Sequence, residues 1–136
     1  MVILNVDDDA EDREIFQDAV REISPSIVCL SANNGIDAQS LWGSDRNFPT
    51  LDFIFLDINM PKMDGMELLR VIKKDNRFNR VPVYMLSTSC GENEIVNINS
   101  LGATYMEKQC KFADIVSGLS SIIHPQSELI ALAGKQ

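Results

Sequence analysis

The segment "DFIFLD", residues 52–57, decides how the rest of the chain is read. Its four middle residues, Phe53, Ile54, Phe55 and Leu56, are all apolar, with no polar residue alternating between them. A strand with one wet face alternates; an unbroken apolar run fits a central strand covered on both faces, which is the situation inside a parallel sheet. Parallel strands need crossovers, and the flanking sequence supplies them. Upstream, Val2 to Val6 reads as a strand. Ala10 to Ile23 reads as a helix whose Ile15, Phe16, Ala19, Val20 and Ile23 form one apolar face, ended by Ser24-Pro25. Residues 27–30 read as a second strand, Asn33-Asn34-Gly35 as a turn, and Ala38, Leu41 and Trp42 as one side of a short helix. Downstream, Asp64 to Lys74 is a helix with Asp64 and Glu67 at capping-box spacing and Lys73 and Lys74 at the negative end of its dipole. "VPVYML" (81–86) is a strand, Glu92 to Leu101 a helix closed by Gly102, "TYME" (104–107) a short strand, and Phe112 to Ile123 a last helix stopped by Pro125.

Five strand–helix units in succession predict an α/β fold: a doubly wound five-stranded parallel sheet, (βα)5, with right-handed crossovers and helices on both faces. The expected division is one domain over residues 1–123 and a tail over 124–136. Leu129, Ile130 and Leu132 give that tail enough apolar content for a short helical segment, packed on the domain or on a neighbouring chain.

Composition narrows the function. The chain has 136 residues, 45% hydrophobic and 24% charged, and a net charge of −8. That excess of acid disfavours nucleic acid and acidic membranes and suits a protein that attracts a cation. Cys29, Cys90 and Cys110 are odd in number and lack CxxC spacing, which argues against a disulfide framework or a zinc site. No apolar run reaches the ~18 residues of a membrane span, and the first residues do not resemble a signal peptide. A reducing cytoplasm is the expected location.

Ligands of doubly wound sheets bind beyond the carboxyl ends of the strands. Those ends carry Asp7-Asp8, Asp57, Ser87-Thr88 and Lys108, whereas the second strand offers only Ser31 and Asn33 and suits an edge. Three carboxylates can hold a hard divalent cation such as Mg²⁺, while a lysine and a hydroxyl donate to an anion; together they suit a phosphoryl group. One of the carboxylates could serve as a nucleophile. The run "NVDDDAED" (5–12) then divides: Asp7 and Asp8 cluster around a cation, Asp9 caps the first helix, and Glu11 and Asp12 sit in its first turn, where the dipole favours acid.

"VDDD", "FLDINMPKMDG", "PVYMLST" and "YMEK" resemble, in order and spacing, the receiver domain of two-component response regulators, over residues 2 to about 123. The resemblance implies a flavodoxin-like receiver fold with Asp57 as phosphoacceptor. It implies Asp8 as a direct Mg²⁺ ligand, Asp7 as a ligand through water and Asn59 as a ligand through its backbone carbonyl. It implies Lys108 as the lysine that neutralises the phosphoryl group, Ser87 as the switch hydroxyl and Tyr105 as the switch aromatic. It further implies a histidine kinase or histidine phosphotransfer protein as donor, and a downstream protein on the face formed by the fourth helix, fifth strand and fifth helix. Homodimerisation is left open. Thr88, bulkier than the residue usual in the family, is expected to shield an acyl phosphate from water. Gln109 replaces the usual proline after Lys108, and the loop entering the fifth strand is one residue short. The Lys108–Gln109 bond is expected to be trans, because a non-prolyl cis bond costs ~2.5–4 kcal/mol.

Other readings fit less well. A Mg²⁺-dependent phosphohydrolase with an aspartyl nucleophile often has a second Asp two positions on, where this chain has Asn59. A flavodoxin-like cofactor module would set its phosphate against three acids, and a never-phosphorylated receiver would not need the full set. Met60, Met63 and Met66 read as packing, Pro61 as stiffening of the loop after Asp57, His124 as unpartnered, Cys29 as core and Cys90 as close to the rim.

Overall fold

The computed structural model describes the chain apart from Arg46, Pro61, Lys135 and Gln136, with side chains described through His124. Its elements are β1 (Val2–Val6), α1 (Ala10–Ile23), β2 (Val28–Ala32), α2 (Gly35–Trp42), β3 (Phe53–Asp57), α3 (Gly65–Lys74), β4 (Val83–Ser87), α4 (Glu92–Ser100), β5 (Thr104–Glu107) and α5 (Phe112–Gly134). All strand pairs are parallel, in the order β2-β1-β3-β4-β5. The doubly wound (βα)5 expectation holds, with β2 at an edge and β3 in the middle. β2 starts one residue later than expected and runs on to Ala32, in register with Val6. β4 starts after Pro82, which cannot donate to a ladder but still accepts from the Ile54 amide at 3.0 Å.

The unbroken apolar run of β3 is divided between two cores by its pleat. Ile54 and Leu56 face Leu4, Val6 and Met85 and are covered by Trp42 of α2, Leu68, Leu69 and Ile72 of α3 and Ile98 of α4. Phe53 and Phe55 face the other side, with Ile3, under Phe16, Ala19 and Val20 of α1 and Leu119 and Ile123 of α5. Phe55 stands 5.2 Å from the ring of Phe16 and stacks at 5.4 Å on Tyr84. Burying each of these side chains is worth roughly 1.5–3 kcal/mol. The two cores thus clamp β3 from both faces and fix the height at which Asp57 emerges.

The helices start where capping chemistry places them. Asp9 accepts from the amides of Glu11 and Asp12, Asn34 from Asp37, and Asp64 from Glu67 at 2.8 Å. Gly65 is required by close approach: a Cβ there would press on the Asp57 carbonyl oxygen and on Ile58 Cα. Gly102 closes α4 at φ +82°, the left-handed region where glycine carries no steric penalty. No cis peptide bond occurs among the described residues, so Lys108–Gln109 is trans as expected.

The last helix corrects the sequence reading. It does not stop before Pro125 but runs from Phe112 to Gly134. Proline's φ is itself near the helical value; what it removes is one backbone donor, and it crowds the preceding turn. The carbonyl deprived of that donor belongs to Ser121, an exposed residue. As far as Gly134 the tail is helical, as expected, although the packing expected of its side chains lies outside the described residues, as does the stiffening role given to Pro61. Among the described residues, no helix is long and apolar enough to cross a membrane.

Gly65→Ala is expected to destabilise the fold by about 1–3 kcal/mol, the usual cost of forcing an extra methyl into a packed site. Urea unfolding with an unchanged m-value would show this; an unchanged midpoint would mean that the contact relaxes freely.

Candidate functional site

The strand order reverses between β1 and β3, and the candidate site lies at their carboxyl ends. The Asp7 amide donates to the Ala32 carbonyl at 3.1 Å, which continues the β1–β2 ladder and turns the Asp7 side chain inward. Asp7 and Asp57 are buried and Asp8 is exposed. Each can offer a carboxylate oxygen such that the three atoms lie within 4.8 Å of one another. Asp7 Oδ1 also accepts from the Asp9 amide at 3.0 Å, and Asp57 Oδ1 from the Asn59 amide at 3.3 Å.

Lys108 arrives from the far edge of the sheet. Its amide donates to the Ser87 carbonyl at 2.9 Å, extending the β4–β5 ladder by one bond. From there Nζ reaches Asp7 Oδ2 at 3.0 Å, Asp12 Oδ2 at 3.2 Å and Asp57 Oδ2 at 3.6 Å. Burial works against the ammonium charge, but the Asp7 hydrogen bond and the charges of Asp7 and Asp57 outweigh it and hold the pKa above the ordinary lysine range. Asp57 is pushed up to about 6, first by burial and further by the Asp7 charge and by Asp8; Lys108 and the Asn59 amide oppose the rise. One lysine therefore does not offset the crowding of three carboxylates. Hard oxygen donors, close spacing and residual repulsion fit a divalent cation at Asp7, Asp8 and Asp57.

The other residues singled out in the sequence take up positions around this centre. Ser87 is buried at the end of β4, but its Oγ donates to the Ser89 carbonyl at 2.6 Å and accepts from the Ser89 amide at 3.2 Å. Tyr105 is partly buried against the core and donates to the Ser87 carbonyl at 3.1 Å. Thr88 is exposed and lines a cavity of about 230 Å³ together with Asp57, Lys108 and Asn5. Asn59 is exposed beside Asp57. Cys29 is half-buried, and burial pushes its thiol up to about 11. Cys90 donates to Glu94 Oε2 at 3.4 Å.

Two features escaped the sequence reading. Asp12 is a partner of Lys108 as well as a first-turn acid. The available signal was its place one helical turn beyond Asp8, above the rim. Asn5 is buried on β1, and its Nδ2 has no partner among the described residues. A polar residue inside an apolar strand was the signal there.

Comparison with known proteins agrees with this geometry. The response regulator receiver domain family matches residues 3–120. Response regulator Rcp1 of Synechocystis is 30% identical over 127 residues, covering 88% of this chain and 86% of Rcp1. Among solved structures, the Mn(2+)-bound form of response regulator Rcp1 superposes with a TM-score of 0.76 at 28% identity, covering 88% of this chain and 91% of that one. A phosphorylated cyanobacterial phytochrome response regulator, RcpA, superposes with a TM-score of 0.79 at 30% identity, covering 89% of each chain. The chain belongs to the receiver domain family of response regulators, signalling phosphoacceptors that take phosphoryl groups from histidine kinases.

Proposed function

We propose that Asp57 is the phosphoacceptor and that the protein is a phosphorylation-controlled binding switch. The observation that carries this is the setting of Asp57: a buried carboxylate at the end of the central strand, grouped with Asp7 and Asp8 and 3.6 Å from Lys108 Nζ. In this reading a histidine kinase or histidine phosphotransfer protein presents a phosphohistidine. An Asp57 carboxylate oxygen attacks phosphorus in line; the new O–P bond forms as the P–N bond breaks, and the imidazole leaves with the bonding electrons. Asp7, Asp8, Asp57 and the Asn59 backbone carbonyl would hold Mg²⁺, which would supply charge neutralisation for the transferring group. Lys108 contributes a second positive charge, its Nζ 3.6 Å from Asp57. Ser87 leaves the Ser89 carbonyl to donate to a phosphoryl oxygen, and Tyr105 moves into the space it vacates. The face made by α4, β5 and α5 then changes shape for a downstream protein, or for a second copy of the chain.

The receiver unit would span residues 1–123, with 124–136 as an appended arm. Chemistry would be confined to the protein's own phosphorylation and dephosphorylation. Asn59, two positions after Asp57, cannot serve as the proton donor that a phosphohydrolase uses there. The net charge of −8 disfavours nucleic acid and acidic membrane as partners, and three cysteines without CxxC spacing support a reducing, cytoplasmic setting.

Three results test this reading. Asp57→Asn is expected to give no phosphoadduct by intact mass with acetyl phosphate and Mg²⁺. The same variant should melt higher than the wild type in chelator at pH 7. Because the folded pKa of about 6 lies above the ordinary 3.8, the Asp57 charge costs stability at neutral pH, and that cost fades as pH falls from about 6 towards 3.8. The rise from 3.8 to about 6 sets an upper limit of about 3 kcal/mol on the gain at pH 7, less whatever the lost Lys108 contact costs, and the gain should largely fade near pH 4. A stoichiometric adduct on the variant would remove Asp57 from its role.

Asp8→Ala should weaken divalent binding more than Asp9→Ala, which loses a helix cap worth about 0.5–2 kcal/mol but no proposed ligand. Metal titration and a melt of both variants separate the two effects. Thr88→Ala should shed its phosphoryl group several-fold faster than the wild type, because an exposed side chain beside Asp57 no longer obstructs water; loss of label over time reads this directly.

A further inference from the structure

We propose that Asp12 is a positioning residue for Lys108, holding the ammonium at the rim when a divalent cation claims its other partners. The inference rests on the reading of Lys108 as the lysine of the phosphorylation site. Lys108 Nζ has three carboxylates around it: Asp7 at 3.0 Å, Asp12 at 3.2 Å and Asp57 at 3.6 Å. Asp7 and Asp57 belong to the trio suited to a cation, while Asp12 stands outside it. A cation among that trio draws on the charge that Asp7 and Asp57 otherwise lend to Lys108. Asp12 keeps its charge for the lysine.

Little in the loop after β5 aims this side chain. The Lys108 amide is fixed to Ser87, but the next bond is an ordinary trans peptide and Gln109 and Cys110 are exposed. The Gln109 side chain bends back to the Glu107 carbonyl at 3.5 Å. Aim comes instead from α1. The Asp12 amide is capped by Asp9 at 3.1 Å, and Arg13 Nη1 donates to the Asp7 carbonyl at 2.8 Å, tying the first turn of α1 to the end of β1. Phe16, Ala19 and Val20 lock the same helix into the core. A partner mounted on a rigid element places a flexible lysine better than a loop would. The Asp12 side chain is 46% exposed, so the pair adds little to stability. Its effect is on where Lys108 points.

The test is a double-mutant cycle on Mg²⁺ affinity, measured calorimetrically without any phosphodonor. With Asp12 gone, the lysine's charge falls on Asp7 and Asp57 and competes with the cation. Asp12→Asn should weaken Mg²⁺ binding roughly three- to tenfold in the wild-type background, and less than about twofold beside Lys108→Met or Lys108→Gln. Asp12→Glu, which keeps the charge, should restore affinity to within about twofold of the wild type, and Asp12→Asn should melt within a few degrees of it. Equal weakening in both backgrounds, or none in either, overturns the proposal: Asp12 would then be only a dipole or bulk-charge residue. Because phosphorylation is not involved, failure here leaves the Asp57 adduct experiment standing, and failure of that experiment leaves the Asp12–Lys108 coupling to be judged separately.

Discussion

Repulsion among Asp7, Asp8 and Asp57 is the constraint on which the rest of this structure turns. Three carboxylates whose oxygens fit within 4.8 Å cost free energy in any fold that gathers them. Lys108, which must be carried across from β5, two strands from Asp57, offsets part of the cost. The parallel ladder makes that reach workable. β3, β4 and β5 rise in step, Asp57 opposite Leu86 and Ser87 opposite Glu107, so the residue after β5 emerges level with the acids. A one-residue slip in either pairing would turn side chains to the wrong face and leave the cluster without its counter-charge.

The framework was legible because its signals are local and physical. The apolar run of β3 has a single economical explanation, a strand between two cores, and the structure divides it between those cores residue by residue. Asp9 and Asp64 were readable as caps because capping depends on neighbours two or three positions away. The strand-end residues followed from topology alone, since parallel strands present the same end to one rim.

What stayed hidden depends on separation or on backbone detail. The bonds from Lys108 to Asp7 and Asp12 span 101 and 96 residues, and no local pattern distinguishes an acid that faces a lysine from one that serves a helix dipole. The hydrogen bond from Ser87 to the Ser89 carbonyl belongs to a loop conformation that side-chain type does not encode. The continuation of α5 through Pro125 went against the strongest helix-breaking signal in the chain. That signal measures one lost hydrogen bond and crowding in one turn, and the helix runs on past both.

The Ser87 carbonyl accepts two bonds at once, from the Lys108 amide at 2.9 Å and from the Tyr105 hydroxyl at 3.1 Å. It follows that the tyrosine is latched to a spare lone pair. Were the ring to swing away, as the proposed switch requires, the carbonyl would keep its ladder bond, so no buried acceptor would be orphaned and only the modest net worth of one hydrogen bond, about 0.5–1.5 kcal/mol, would be forfeited. A catch that shallow does not behave as a lock. It would leave two such ring positions within a factor of about ten of each other as far as this bond is concerned, and would hand the choice between them to whatever packs against the ring.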